Sequence, residues 1–182
     1  MNEAENAAAQ VWRIVVGGLA CGELLARLAA AGVLLNNYAE TLLAAATADA
    51  IAEPEQVVVI ERSVRDLGLP DGGTLPEIHE RALAAGLRLC PPTTGACLRL
   101  AIRDQSPAPD SVLSAGRAPS GSLTIAAPRL RDDHEFPAGL YLRVVDGQRW
   151  LRGFRCDDEH VWSADDKFVF RAVSAGTDAD AA

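Results

Sequence analysis

Acidic and histidine residues stand on both sides of one segment of this chain. The run DDHE occupies positions 132–135, and the run DDEH occupies positions 157–160. Carboxylate and imidazole groups suit Mn²⁺, Fe²⁺ or Zn²⁺, and together they can also act as general acid and base. The candidate ligands in the two runs are Asp133, His134, Glu159 and His160. Whether they meet depends on the fold of the segment between them.

That segment is predicted to be a β-hairpin. Asp146-Gly147 separates two runs of strand-forming residues. An Asp-Gly pair accepts the positive φ angles of a two-residue type I′ turn. With these two residues as the loop, Val145 lies opposite Gln148 and Leu142 lies opposite Leu151.

The same register, continued to the open end of the 139–154 hairpin, brings the two acidic runs together. Asp133 would face His160, and His134 would face Glu159. The hypothesis that follows is a small metal-dependent, hydrolase-like enzyme. The alternative is a pair of solvated acidic loops, and we favour it because motif matches without structural context are mostly accidental. Pro137 can also bend the chain as it enters the hairpin.

The hairpin has two chemically different faces, because successive side chains of a strand point to opposite sides. One face is apolar and carries Leu140, Leu142, Val144 and Leu151. The other interleaves aromatic residues with arginines and carries Tyr141, Arg143, Trp150, Arg152 and Phe154. Such a surface can stack on planar groups of a ligand or partner. The alternative, which we favour, is that a helix covers this face and the aromatic residues are core.

Cys156 invites a second catalytic hypothesis, since His160 follows it by four residues. A nucleophilic cysteine needs a base within hydrogen-bond reach. On a strand, the Cys156 side chain points away from its neighbours Arg155 and Asp157. We interpret it as a half-buried structural cysteine. The chain has four cysteines, too few to predict a disulfide framework.

The charge balance argues against nucleic-acid binding. Seventeen Lys and Arg residues face twenty-five Asp and Glu residues, which gives a net charge of −8. Proteins that bind nucleic acids usually present a basic stripe. A transcriptional regulator using the N-terminal helix pair is therefore a weaker alternative, because the predicted second helix, residues 38–48, has no basic residue.

No cofactor, leader or membrane span is predicted. Gly17-Gly18 and Gly72-Gly73 lack the lysine of a phosphate-binding loop. Residues 1–10 are acidic where a secretory leader is basic, and Glu23 interrupts the following apolar run. We therefore predict a cytoplasmic protein.

The periodicity predicts an α+β fold with a mostly antiparallel sheet, helices packed on one face, and a short N-terminal helical pair. Residues 1–21 are predicted to be a frayed segment, 22–173 a single α+β domain, and 174–182 a disordered tail. Within the domain, 22–50 is the helical pair and 57–173 is the sheet with a helix at 75–85. A strand is predicted at 97–103 and a mobile loop at 106–120.

Three stretches resemble a family of small uncharacterised bacterial proteins. They are GELLARLAAAGVLLNNYAETLL (22–43), GLRLCPPTTGACLRLAIRDQ (86–105) and EFPAGLYLRVVDGQRWLRGFRCDDEHVWSADDKFVF (135–170). The resemblance implies a bacterial source and a shared fold over most of residues 22–171. It implies no activity, because none is assigned to the family.

The leading hypothesis is a non-catalytic binding or protein-interaction module. Its partner would be an unknown protein or small molecule. The metal-dependent enzyme and the transcriptional regulator are the alternatives.

Overall fold

A computed structural model describes residues 9–48, 52–112 and 116–173. Over these residues the chain forms four α-helices and one seven-stranded sheet with the strand order β1-β3-β9-β5-β6-β7-β2. The elements in chain order are β1 (Val11–Val16), α1 (Cys21–Ala30), β2 (Val33–Leu35), α2 (Asn37–Ala46), β3 (Glu55–Ser63), β4 (Gly73–Thr74), α3 (Leu75–Ala84), α4 (Thr94–Ala101), β5 (Leu123–Ile125), β6 (Gly139–Val145), β7 (Gln148–Phe154), β8 (Val161–Trp162) and β9 (Lys167–Arg171). The short strands β4 and β8 pair separately.

The predicted hairpin is confirmed as β6 and β7. Asp146 and Gly147 have φ angles of 50° and 75°, as a type I′ turn requires. Val145 pairs with Gln148, and the register continues to the pair Gly139–Phe154. The two faces of the hairpin are therefore the predicted ones.

The α+β class is confirmed, but the sheet is mixed rather than mostly antiparallel. β2 runs parallel to β7, and β5 runs parallel to β9. β2 was not predicted because it is only three residues long and lies between α1 and α2. From the sequence alone, this segment resembles a turn between two helices. In the structure, β2 joins the edge of the sheet beside β7 and runs parallel to it. The N-terminal pair is thus helix–strand–helix.

The prediction that all helices pack on one face is wrong. α1, α2 and α4 cover the apolar face of the hairpin, where the shared core includes Leu28, Leu43, Leu98, Leu142 and Leu151. α3 contributes to a second core with Phe168 and Phe170 of β9. Val169 lies between these two residues in β9 and belongs to the first core. Because successive side chains of a strand point to opposite sides, Phe168 and Phe170 lie on the other side of the sheet, where α3 packs against them.

The predicted strand at 97–103 is also wrong, because this stretch lies mostly in α4. Its apolar residues alternate, but Leu98 and Ile102 are also one helical turn apart, and a short run cannot separate the two periods. Arg99, which the strand would have exposed, is fully buried. Its guanidinium donates to the Gln105 side chain at 2.6 Å and to the carbonyl of Ile102 at 2.7 Å.

The sheet begins before the predicted domain boundary at residue 22. β1 is an edge strand that pairs antiparallel with β3, from Val11–Ile60 to Val16–Glu55. The prediction of a frayed segment is thus corrected for residues 11–16. Residues 1–8, 49–51 and 174–182, and with them the predicted tail, lie outside the described residues. None of the helices in the described ranges is both long and apolar enough to cross a bilayer.

Candidate functional site

The aromatic and arginine face of the hairpin is covered by chain segments other than a helix. Tyr141, Arg143, Trp150, Arg152 and Phe154 share this face through the pairs Tyr141–Arg152, Arg143–Trp150 and Gly139–Phe154. The prediction that a helix covers the face is wrong. Two other segments lie against this face: residues 116–119, from the loop before β5, and the region of β8. We call this side of the sheet the loop-covered face.

Arg143 holds the loop onto the sheet. Its side chain is 1% exposed and donates to the carbonyls of Ser120, Val112 and Asp110 at 2.9, 2.6 and 2.8 Å. It also contacts the Asp110 carboxylate at 3.0 Å. The hydrogen bond from the Ser120 hydroxyl, followed by backbone and Arg143 contacts, keeps the pKa of Asp110 below its ordinary value. Arg143 is therefore structural rather than available to a ligand, and the described parts of the loop predicted to be mobile are anchored.

A cavity of about 440 Å³ remains beneath the loop. We call it the aromatic cavity, and its lining includes Tyr38, Thr124, Tyr141, Phe154, His160 and Trp162. The rings form a connected row: Tyr141 to Phe154 at 6.3 Å, Phe154 to Trp162 at 5.4 Å, and Trp162 to His160 at 5.3 Å between centroids. These separations are typical of stabilising aromatic pairs.

Two glycines of the hairpin shape this cavity. At Gly139, a Cβ would lie 2.9 Å from the Phe154 ring. At Gly153, a Cβ would lie 2.6 Å from the backbone of Tyr38, so α2 approaches the sheet closely there. Asn36 fixes the approach: its side chain caps α2 at Ala39, accepts from the Gly153 amide at 2.8 Å and donates to the Gly153 carbonyl at 2.9 Å. Tyr38 is thereby placed at the cavity.

Arg152 is a cation at the cavity lining whose Nε has no hydrogen-bond partner among the described residues. Its guanidinium lies 5.0 Å from the centre of the Trp150 ring. Its Nε is buried without a hydrogen-bond partner, and so is Nε1 of Trp162. Within residues 9–48, 52–112 and 116–173, no acceptor lies within hydrogen-bond distance of Arg152 Nε.

Three other charged residues line the cavity, namely Arg117, Arg155 and Asp157, and the last two are engaged by neighbouring groups. Arg155 pairs with Glu135 and lies over the Tyr38 ring at 5.2 Å. The Asp157 carboxylate accepts the backbone amides of Glu159 and His160 at 3.1 and 2.9 Å. A ligand would therefore meet aromatic walls, the Arg117 guanidinium and two buried N–H donors without partners.

The predicted metal site does not assemble. Among the described residues, no three His, Cys, Asp or Glu side chains come together as a metal site. His160 lines the aromatic cavity, whereas Asp133, His134 and Glu159 are exposed. The register ends because Phe136 turns into the helix-covered core and accepts Arg131 over its ring at 4.4 Å.

Cys156 is a structural residue in this environment. Arg129 donates to its carbonyl at 2.8 Å and contacts its sulfur at 3.7 Å. Burial raises the pKa of the Cys156 thiol, and the Arg129 charge offsets only part of that shift. The thiol is thus protonated at neutral pH, where a nucleophile must be a thiolate.

Comparison of the chain with protein-family models, curated proteins and solved structures finds no match. The resemblance to a bacterial family stays a prediction. The site must be interpreted from its own residues.

Proposed function

We propose that the protein is a non-catalytic binding module that takes a small molecule in the aromatic cavity. The observation that carries the proposal is the cavity itself, about 440 Å³ on the loop-covered face with an aromatic row along it. Ligand sites are typically concave, several hundred Å³ in volume, and lined by apolar and aromatic groups with a few polar atoms. The cavity has this composition.

The surrounding structure supports preorganisation of the cavity. Arg143 anchors the described parts of the loop from the sheet side, and Asn36 anchors α2 at Gly153. Walls held in this way lose little conformational entropy when a ligand enters. Of the five residues predicted as a binding surface, Tyr141, Arg152 and Phe154 line the cavity. Arg143 anchors the loop, and Trp150 contacts the Arg152 guanidinium.

The two alternatives have less support. The metal-dependent enzyme requires a cluster of at least three ligands, and the described residues form none. For a transcriptional regulator, α2 would have to present a recognition face, yet it buries Ala39, Leu42 and Leu43 and exposes Glu40 and Thr41. Cytoplasmic location and the absence of nucleic-acid binding stay predictions from the sequence.

An NMR titration tests the proposal with uncharged aromatic probes: indole, phenol and benzamide. We expect shifts of the Thr124 and Gly153 amides, which border the cavity, and none at Leu98 in the helix-covered core. Ala118→Trp places an indole at the cavity lining and should abolish the shifts. Ala84→Trp, on the exposed side of α3, is the matched control and should leave them unchanged. Shifts that survive Ala118→Trp, or their absence for all probes, would contradict the proposal.

A further inference from the structure

We infer that the ligand of the aromatic cavity is a small aromatic monocarboxylate, bound through Arg152 and the Trp162 indole N–H. This inference rests on the proposed function and adds the chemical class of the ligand. It starts from two buried nitrogen atoms, Arg152 Nε and Trp162 Nε1, that have no partner in the described chain.

Both unpartnered groups are donors only. A guanidinium and an indole can each give an N–H and can accept nothing. An unpaired buried donor costs about 1–3 kcal/mol, so most such groups in folded proteins have a partner. Arg152 and Trp162 both line the cavity. A ligand with acceptor oxygens would give both donors a partner.

The charge of the site indicates an anion with a single negative charge. Arg155 is paired with Glu135, whereas Arg117 lines the cavity together with Arg152. Asp157 places a carboxylate at the lining. The Arg152 and Arg117 guanidinium groups and the Asp157 carboxylate together leave one net positive charge. A dianion such as a phosphate monoester would therefore leave a negative charge uncompensated.

The rings indicate what the rest of the ligand is. Tyr141, Phe154 and Trp162 form the wall, and the Arg152 guanidinium lies over the Trp150 ring, 5.0 Å from its centre. Stacking uses the face of the guanidinium and leaves its edge N–H groups for a carboxylate. A planar ring with one carboxylate matches both surfaces.

Matched acid and amide pairs test the inference: benzoate with benzamide, phenylacetate with phenylacetamide, and indole-3-acetate with indole-3-acetamide. Dissociation constants are measured by NMR titration of the Thr124 and Gly153 amides at neutral pH. We expect each acid to bind at least about tenfold more tightly than its amide, the scale of a charge-assisted hydrogen bond. Phenyl phosphate should bind no more tightly than benzoate.

Three variants assign the preference to its residues. Arg152→Met should remove the acid preference, and Arg13→Met, the control at an exposed arginine of β1 away from the cavity, should keep it. Trp162→Phe retains a ring and removes the N–H, so acid affinity should fall by about three- to tenfold. Melting curves identify any variant that fails to fold, and the wild-type acid and amide comparison decides the question without them.

The outcomes separate the two proposals. If the amides bind as tightly as the acids, the inferred ligand class is wrong, but the proposal that the cavity binds a small molecule is retained. Tighter binding of phenyl phosphate, or an acid preference that persists in Arg152→Met, also overturns it. If neither acids nor amides shift the cavity amides, both proposals fall.

Discussion

The two sides of the β6–β7 hairpin are covered in different ways. On the helix-covered side, leucines of α1, α2 and α4 interdigitate with Leu142 and Leu151, both fully buried. On the loop-covered face, the cover is irregular chain held by hydrogen bonds to Arg143. The first side closes into a core, whereas the second retains a cavity of about 440 Å³.

The difference follows from the kind of cover. A helix presents a regular row of apolar side chains that packs closely against a pleated sheet, so few voids remain between them. A loop has backbone polar groups that need partners, and here a buried arginine supplies them. The tightly packed cover thus lies on one side of the hairpin and the cavity on the other.

The largest expected loss of stability comes from a substitution in the helix-covered core. Leu142→Ala should lower the free energy of unfolding by roughly 3–5 kcal/mol, because it removes apolar contacts and leaves a void. Leu34→Ala is the matched control, since Leu34 on β2 is 44% exposed; its cost should be small. Urea denaturation measures both. A loss below about 1 kcal/mol for Leu142→Ala would contradict a tightly packed side.

The next effect compares two arginines of the loop-covered face. Arg143→Met should cost roughly 2–3 kcal/mol, because three carbonyls lose a charged donor. Hydrogen exchange at residues 106–112 and 116–122 should rise with it. Arg152→Met removes an arginine with no such partners and should be neutral or slightly stabilising. Equal losses for the two variants would show that Arg152 has a structural role.

A titration separates the second core from the first. Burial, followed by the nearby Arg129 charge, lowers the pKa of His79 on α3 to about 4. The unfolded chain has the ordinary pKa of about 6.5 and binds the proton first as pH falls. Stability therefore decreases from about pH 6.5 down to about pH 4.

Between pH 7 and pH 5 this proton uptake should remove about 2 kcal/mol. His79→Gln should reduce that loss in urea denaturation at the two pH values. His134→Gln, at an exposed histidine, is the control and should keep the wild-type dependence. An unchanged slope in His79→Gln would exclude His79 as its source.

The hairpin and the capped helix α3 could be predicted because their signals are local. Asp146-Gly147 fixes the register of β6 and β7, and Thr74 and Glu77 form the capping box at the start of α3. β2 and α4 could not be predicted in the same way. A three-residue strand has no period of its own, and its pairing with β7 is tertiary.

The aromatic cavity was predicted in part. Alternation in the hairpin identified Tyr141, Arg152 and Phe154 as neighbours, and they line the cavity. Trp162 and Tyr38 were missed, because β8 and α2 reach the site only through the fold. The small residue Gly153 was the available signal, since a glycine within a strand often marks a close backbone approach.

The smallest expected effect concerns the residue that joins the two sides. Asn36 caps α2 on the helix-covered side and forms two hydrogen bonds with Gly153 at the cavity. Asn36→Ala should cost about 1–2 kcal/mol, the usual range for a lost cap. Asn36→Asp keeps the acceptor for the Ala39 and Gly153 amides and loses only the donor, so it should cost less. Asn37→Ala, at the exposed neighbour, is the control. If Asn36→Ala and Asn37→Ala unfold at the same urea concentration, the two sides are joined by packing alone, with Gly153 as the contact that allows it.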